Sequence, residues 1–213
     1  MQNKKVVLIS IVVLIAIFVG GGYFYKNSQS EKMVTMSKEQ ALLFQRPYSL
    51  VVGKKEAKVQ LVEFFDPACG TCAQFHPLVK EKIKKSNGNI KIVYRYAPFH
   101  KNSNYAVKML EGARAQGLFM ETLDFMFSTQ KYWVEHHVVN PQKLWRMLPK
   151  VEGLDMEKLG KFMNDPKADE IIKQDLADAE KLKVTQTPEY FVNGKPLATF
   201  GLKNLMDLID SAL

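Results

Sequence analysis

The sequence predicts an α/β domain in which a βαβ unit opens the fold, an all-helical insertion interrupts it, and a ββα unit closes it. Three observations carry this reading. Two apolar strand patterns, 58–65 and 90–96, flank one helical stretch. Five helical patterns then follow with no strand between them, and Asn193-Gly194 stands between two short strand patterns near the end. The chain has 213 residues, 46% of them hydrophobic, enough for one domain with an insertion around a packed core.

The elements follow in order. Lys4 and Lys5 precede an apolar run from Val6 to Val19, broken only by Ser10, and Tyr23, Phe24 and Tyr25 come after Gly20, Gly21 and Gly22. Counted on to Tyr25 the stretch has 20 residues, sufficient to span a bilayer. A positive flank before an apolar run sends this end into the membrane with its lysines on the cytoplasmic side, so residues 1–25 are expected to be an uncleaved signal anchor and the rest of the chain to be exported. Residues 26–47 read as a polar linker carrying a short helix at 37–45, with Ser37 as its cap. From Tyr48 a domain is expected over 48–213, beginning with a strand at 48–52, a turn at 53–57 and the strand at 58–65.

A helix over 69–86 starts at the cysteines and stops at Asn87-Gly88, and 90–96 alternates as a strand. Strand, helix and strand with this crossover length make a right-handed βαβ unit with parallel strands. Helical spacing recurs at 104–116, 119–130, 141–148, 155–164 and 166–182, with Gly, Pro, Asn or Asp at each break, giving an insertion over about 102–184. Strands at 189–192 and 196–200 flank Asn193-Gly194, a strong hairpin signal, and a helix at 203–212 ends the chain.

Composition narrows the function. The net charge is +8, and the densest basic stretch holds Lys80, Lys82, Lys84, Lys85 and Lys91. No aromatic residues interleave with those lysines to stack on bases, so they read as a solvated helix face and no nucleic-acid partner is expected. The chain has two cysteines, Cys69 and Cys72, too few for a disulfide scaffold. A structural zinc site needs four ligands; beyond His76 and His100 no second cluster offers itself, so neither metal nor cofactor is expected. No further cysteine exists to mispair with these two in an oxidising compartment.

The central segment runs Phe64-Phe65-Asp66-Pro67-Ala68-Cys69-Gly70-Thr71-Cys72. A strand enters a turn and a helix begins at the first cysteine. The unpaired amides and positive dipole end of that helix favour an anion, so Cys69 is expected to ionise below the ordinary thiol range. Cys72 lies one turn deeper and is less exposed. Cys69 therefore exchanges with partners and Cys72 resolves the mixed disulfide. A Cys-x-x-Cys at the strand–helix junction of a βαβ unit points to redox chemistry over two inert core cysteines.

Segment 59–79, which contains these residues, resembles the active-site region of the DsbA-like family of thiol–disulfide oxidoreductases. Thr187-Pro188-Glu189-Tyr190-Phe191-Val192-Asn193-Gly194 resembles that family's cis-proline segment and hairpin. The resemblance covers residues 48–213 and implies a thioredoxin fold with a helical insertion, and an exported enzyme. Pro188 matches the cis-proline that faces the cysteines and leaves a backbone edge for an extended substrate. Thr187 matches the position that tunes substrate release. Glu63 matches the buried acid under the pair, where desolvation raises its pKa and lets it take the Cys72 proton. Pro77 matches a helix kink. His76, on the helix face of Cys69, reads as a surface histidine, and His136 and His137 read as loop residues without a role.

Gly70-Thr71 departs from the family's strongly oxidising version, which carries a histidine between the cysteines, and supplies no cation there. The resemblance still implies a dithiol oxidase first and an isomerase or reductase second. Isomerases of the superfamily usually carry a larger amino-terminal module than 26–47. A surface-displayed, non-catalytic binding protein is the alternative of another class. The implied partners are unfolded or partly folded exported proteins with cysteines and a membrane redox protein that recycles the pair. The implied location is the periplasm or the outer face of the cytoplasmic membrane.

Overall fold

The computed structural model describes residues 37–213. The expected membrane segment, 1–25, lies outside the described residues, as does the linker up to residue 36. Among the described residues no helix is long and apolar enough to cross a membrane.

Helix α1 spans Lys38–Phe44. Its start is a reciprocal cap in which Gln40 N donates to Ser37 Oγ and Ser37 N donates to Gln40 Oε1, both at 3.1 Å. Strands β1 (Leu50–Val52), β2 (Val59–Phe65) and β3 (Ile90–Tyr96) follow, with helix α2 (Gly70–Lys85) between the last two. β2 and β3 run parallel in register from Val59 opposite Ile90 to Phe65 opposite Tyr96, and β1 lies antiparallel to β3. Every residue of β2 except Gln60, and of β3 except Lys91, is buried. Such strands read as near-continuous apolar runs because both sheet faces are covered.

The insertion consists of α3 (Ser103–Arg114), α4 (Phe119–Thr129), α5 (Pro141–Met147), α6 (Met156–Phe162) and α7 (Lys167–Lys181). α3 is its central helix and packs against α4, α6 and α7. At Gly112 it approaches α6 so closely that an added Cβ would stand 2.5 Å from Leu159 Cδ1. One element was not expected: a small hairpin of β4 (Val134–Glu135) and β5 (Val138–Val139) turns on His136 and His137, both at positive φ.

The chain then returns to the sheet with β6 (Glu189–Val192), antiparallel to β2, and β7 (Lys195–Pro196), giving the order β1-β3-β2-β6-β7. Asn193 and Gly194 take the positive φ values of 49° and 78° that a tight hairpin turn of this type requires. The strand expected at 196–200 is a correction: pairing ends at Pro196, and only Leu197 N reaches back to Tyr190 O, at 3.1 Å. Proline lacks a ladder donor, which confines β7 to the sheet edge. Helix α8 (Leu202–Ala212) closes the fold and packs on β6 and β2.

Insertion and sheet are joined by a buried ionic network. Arg95 of β3 is fully buried; its Nε donates to Asp175 Oδ1 at 2.9 Å and its Nη2 to Asp178 Oδ2 at 2.6 Å, both on α7. Arg46 donates to both oxygens of Asp178, and the Tyr48 hydroxyl donates to Asp175. Two cations meet two carboxylates, so no buried charge is left uncompensated. The arginines hold Asp178 below the ordinary carboxylate range despite its burial.

Candidate active site

β2 delivers the chain to a tight turn, Asp66-Pro67-Ala68, in which Cys69 N donates to Asp66 O at 2.9 Å. Cys69 is the N-cap residue of α2, in extended conformation, and its Sγ accepts from Cys72 N at 3.4 Å. As a thiol it also donates to Thr187 O at 3.1 Å. The Thr187–Pro188 peptide bond is cis. Both cysteines are free thiols; Cys69 is 6% exposed and Cys72 is fully buried.

The two sulfurs are pushed in opposite directions. Cys69 is lowered to about 5, first by its hydrogen bond with Cys72 and then, against the cost of burial, by the Thr187 side chain and by the amides of Cys72 and Thr71. Cys72 is raised well above the ordinary thiol value, first by burial and then by donating to Cys69 and by the charges of Cys69 and Glu63. One cysteine is thus ionised at neutral pH while its partner keeps its proton.

Glu63 lies beneath, 2% exposed, between Tyr94 of β3 and Tyr190 of β6 in the sheet register. The Tyr190 hydroxyl donates to Glu63 Oε1 at 2.9 Å. Burial pushes the Glu63 carboxyl up to about 8, against the pull of the Tyr190 hydrogen bond. The apolar neighbours of Glu63 leave its orientation undecided in the sequence because both faces of β2 are covered.

Two further groups shape the loop before Cys69. The fully buried Asp66 carboxylate accepts from Ala68 N at 2.8 Å, from the Ser103 hydroxyl, and from both His100 N at 2.8 Å and His100 Nδ1 at 2.7 Å. From the insertion, Gln130 Nε2 donates to Pro67 O at 2.9 Å and to Cys69 O at 3.1 Å. His76 is a correction to the surface position expected: it is 4% exposed, bonds Asp124 Oδ1 at 2.7 Å and packs on the Phe127 ring. The α4 helix covers that face of α2, and burial lowers the His76 pKa.

The sequence profile described as "Thioredoxin" matches residues 45–211. The chain belongs to the thioredoxin family. Among family members it is similar over its full length to a probable disulfide bond formation protein D of Bacillus anthracis, at 26% identity over 98% of that protein. It is similar to a putative protein-disulfide oxidoreductase of Rickettsia typhi at 24% identity, over 89% of this chain and 74% of that one. It also matches a Na(+)/H(+) antiporter NhaA of Herminiimonas arsenicoxydans at 28% identity over 68% of its own length, but spans only 22% of that protein. Among solved structures, a thioredoxin-like oxidoreductase from Silicibacter pomeroyi superposes with TM-score 0.69 at 28% identity, covering 83% of this chain and 97% of that one. Alpha-DsbA1 of Wolbachia pipientis shares the fold, with TM-score 0.69 at 21% identity over 81% of this chain and 94% of that one.

Of the residues singled out in the sequence, Cys69, Cys72, Thr187 and Pro188 meet at one helix end, although Cys69 and Thr187 are 118 positions apart. Glu63 occupies the strand position below. Asp66, His100 and Gln130 were missed as parts of the site. Asp66, directly before Pro67 at the end of a strand, carried a weak local signal, whereas Gln130 and His100 arrive only through tertiary folding. Among the described residues no group of three or more His, Cys, Asp and Glu side chains is arranged to hold a metal ion.

Proposed function

We propose that this chain is an exported dithiol oxidase that introduces disulfides into unfolded or partly folded proteins through Cys69 and Cys72. The observation that carries the reading is the opposed ionisation of the pair, with Cys69 lowered to about 5 and Cys72 held neutral above a protonatable Glu63. A thiolate stabilised in the reduced form makes the corresponding disulfide a better oxidant. The low value arises from the helix start and from Cys72 itself, so a histidine between the cysteines is not needed to reach it. The relatives of similar length, a disulfide bond formation protein and a protein-disulfide oxidoreductase, support the same chemistry.

In this reading a substrate thiolate attacks Cys69 Sγ of the Cys69–Cys72 disulfide. The S–S bond breaks, and Cys72 leaves with the electron pair and takes a proton from Glu63. A second substrate thiolate then attacks the substrate sulfur of the mixed disulfide. The substrate is oxidised to a disulfide, and Cys69 leaves as the stabilised thiolate. The edge beside Pro188 and Thr187 receives the extended substrate by backbone pairing. A membrane redox partner restores the Cys69–Cys72 disulfide. Residues 6–25 anchor the chain, 26–47 link, and 48–213 work outside the cytoplasmic membrane.

The test is oxidation of reduced, unfolded ribonuclease by the oxidised protein, with the reduction potential of the pair measured against glutathione. Stoichiometric oxidation and a potential above that of thioredoxin are expected. Insulin reduction with a thioredoxin-like potential would instead assign a reductase, and no exchange at all would leave a binding protein.

A further inference from the structure

His100 stands outside the Cys-x-x-Cys segment and outside every step above, yet it is tied to the head of α2. Asp66 grips it twice, through backbone N at 2.8 Å and ring Nδ1 at 2.7 Å, while the main-chain carbonyl of the same Asp66 accepts from Cys69 N at 2.9 Å. A fully buried carboxylate thus connects the imidazole to the exchanging cysteine through one residue. Ser103 and Ala68 N occupy its other oxygen and fix its rotamer. The imidazole stacks on the His137 ring at the β4–β5 turn, with 5.5 Å between centroids and the planes inclined by 27°.

We infer that His100, oriented by Asp66, is a positioning residue that places a positive charge beside the Cys69 thiolate, the charge that Gly70-Thr71 does not carry. The inference rests on the reading of Cys69 as the exchanging thiol. The groups in contact with His100 are Asp66 from the loop after β2 and His137 from the hairpin; Cys69 at the head of α2 acts on it through its charge, and Lys101 is next to it in the chain. Asp66, foremost, keeps the imidazole protonated above the ordinary histidine range, and the Cys69 charge adds to this. Cys69, at about 5, ionises below the range in which His100 loses its charge, so thiolate and imidazolium coexist between the two. The charge also offsets Asp66. A buried carboxylate without its cation, one turn from Cys69, disfavours the thiolate.

The experiment is thiolate absorbance against pH on the fully reduced full-length chain, for wild type, His100→Gln and His100→Lys. Glutamine can still donate to Asp66 but carries no charge; lysine keeps the charge and loses the ring. The expected result is a Cys69 midpoint about 0.5 to 1 unit higher in His100→Gln, with His100→Lys close to wild type. The equilibrium with glutathione should move roughly three- to tenfold toward the disulfide in His100→Gln only. A His100→Gln midpoint within 0.2 units of wild type overturns the inference, as does an equal rise in both variants, which would mean the ring serves packing alone. If His100→Gln does not fold, the lysine variant decides: a wild-type midpoint supports the charge role and a raised one refutes it. Failure of the wild type to exchange disulfides would strike the proposed function, whereas a wild type that exchanges with an unmoved variant midpoint strikes only this inference.

Discussion

Replacing Glu63 with glutamine should make the reduced protein more stable at neutral pH and slower in exchange. Glutamine fits the same space and can still accept from the Tyr190 hydroxyl. The carboxyl has an ordinary value of 4.5 and stands at about 8 in the fold. Its folded pKa is raised, so the folded state binds a proton that the unfolded state has released. This penalty is absent below pH 4.5, grows by about 1.4 kcal/mol per pH unit above it, and levels off near pH 8. At pH 7 the gap is 7 − 4.5 = 2.5 units, so Glu63→Gln gains about 3 kcal/mol over wild type relative to its standing at pH 4. With a urea slope of roughly 2 kcal/mol/M the unfolding midpoint rises by about 1.5 M at pH 7 and not at all at pH 4. The assay is urea denaturation of both reduced proteins at pH 4, 5, 6, 7 and 8. Exchange should fall roughly tenfold or more, because Cys72 loses its proton partner. A stability difference that does not change between pH 4 and pH 8 would refute the account of Glu63 as a buried, protonated acid.

Further outcomes follow from the same geometry. Alkylation of reduced Cys69 should reach half its maximal rate near pH 5, and Cys72→Ala should move that midpoint up by about one unit, since Cys72 is the largest stabiliser of the thiolate; an unmoved midpoint contradicts that ordering. The same variant, with Cys69 first converted to its mixed disulfide with glutathione, should exchange glutathione for a thiolate of reduced ribonuclease and hold the ribonuclease adduct on Cys69; release of free ribonuclease disulfide at the wild-type rate would contradict the role of Cys72. Arg95→Ala leaves Asp175 and Asp178 with Arg46 as their remaining cation, so unfolding free energy should drop by about 3 to 5 kcal/mol and thermal scans should show a loss of roughly 10 °C. Gln130→Leu removes two hydrogen bonds from the active-site loop and should cost about 1 to 2 kcal/mol. Gln130→Glu sets a carboxylate against the Pro67 and Cys69 carbonyls and should cost more at pH 7, and equal stability of the two would deny the strap its polarity.

Much of this was legible in the residues because local rules and tertiary packing agree. The 90–96 and 189–192 strands fall where apolar patterning puts them, and the cysteines sit at a helix start because a strand, a turn and Pro67 leave no other register. Pro196 ends β7 early because the edge position tolerates it while the residues beyond lose the ladder. The β4–β5 hairpin escaped because two-residue strands carry no periodicity and His136-His137 is not a usual positive-φ turn pair. His76 misled because helical spacing gives its angle on α2 but not which neighbour lies over that face. The contacts of Asp66, His100 and Gln130 join loops 34 to 63 positions apart, a distance at which sequence patterns say nothing.

The insertion also sets a timetable. The cysteines belong to the first half of the sheet, while Thr187, Pro188 and β6, which pairs with β2, come from the far side of five helices. At a synthesis rate of roughly 5 to 20 residues per second, the 118 positions between Cys69 and Thr187 take about 6 to 24 s to emerge. Through that interval β2 has an open edge and the pair lacks the backbone against which a substrate would align. A nascent chain therefore carries its two thiols as an unassembled half-site, and competence in exchange arrives in one step, when the last strand docks.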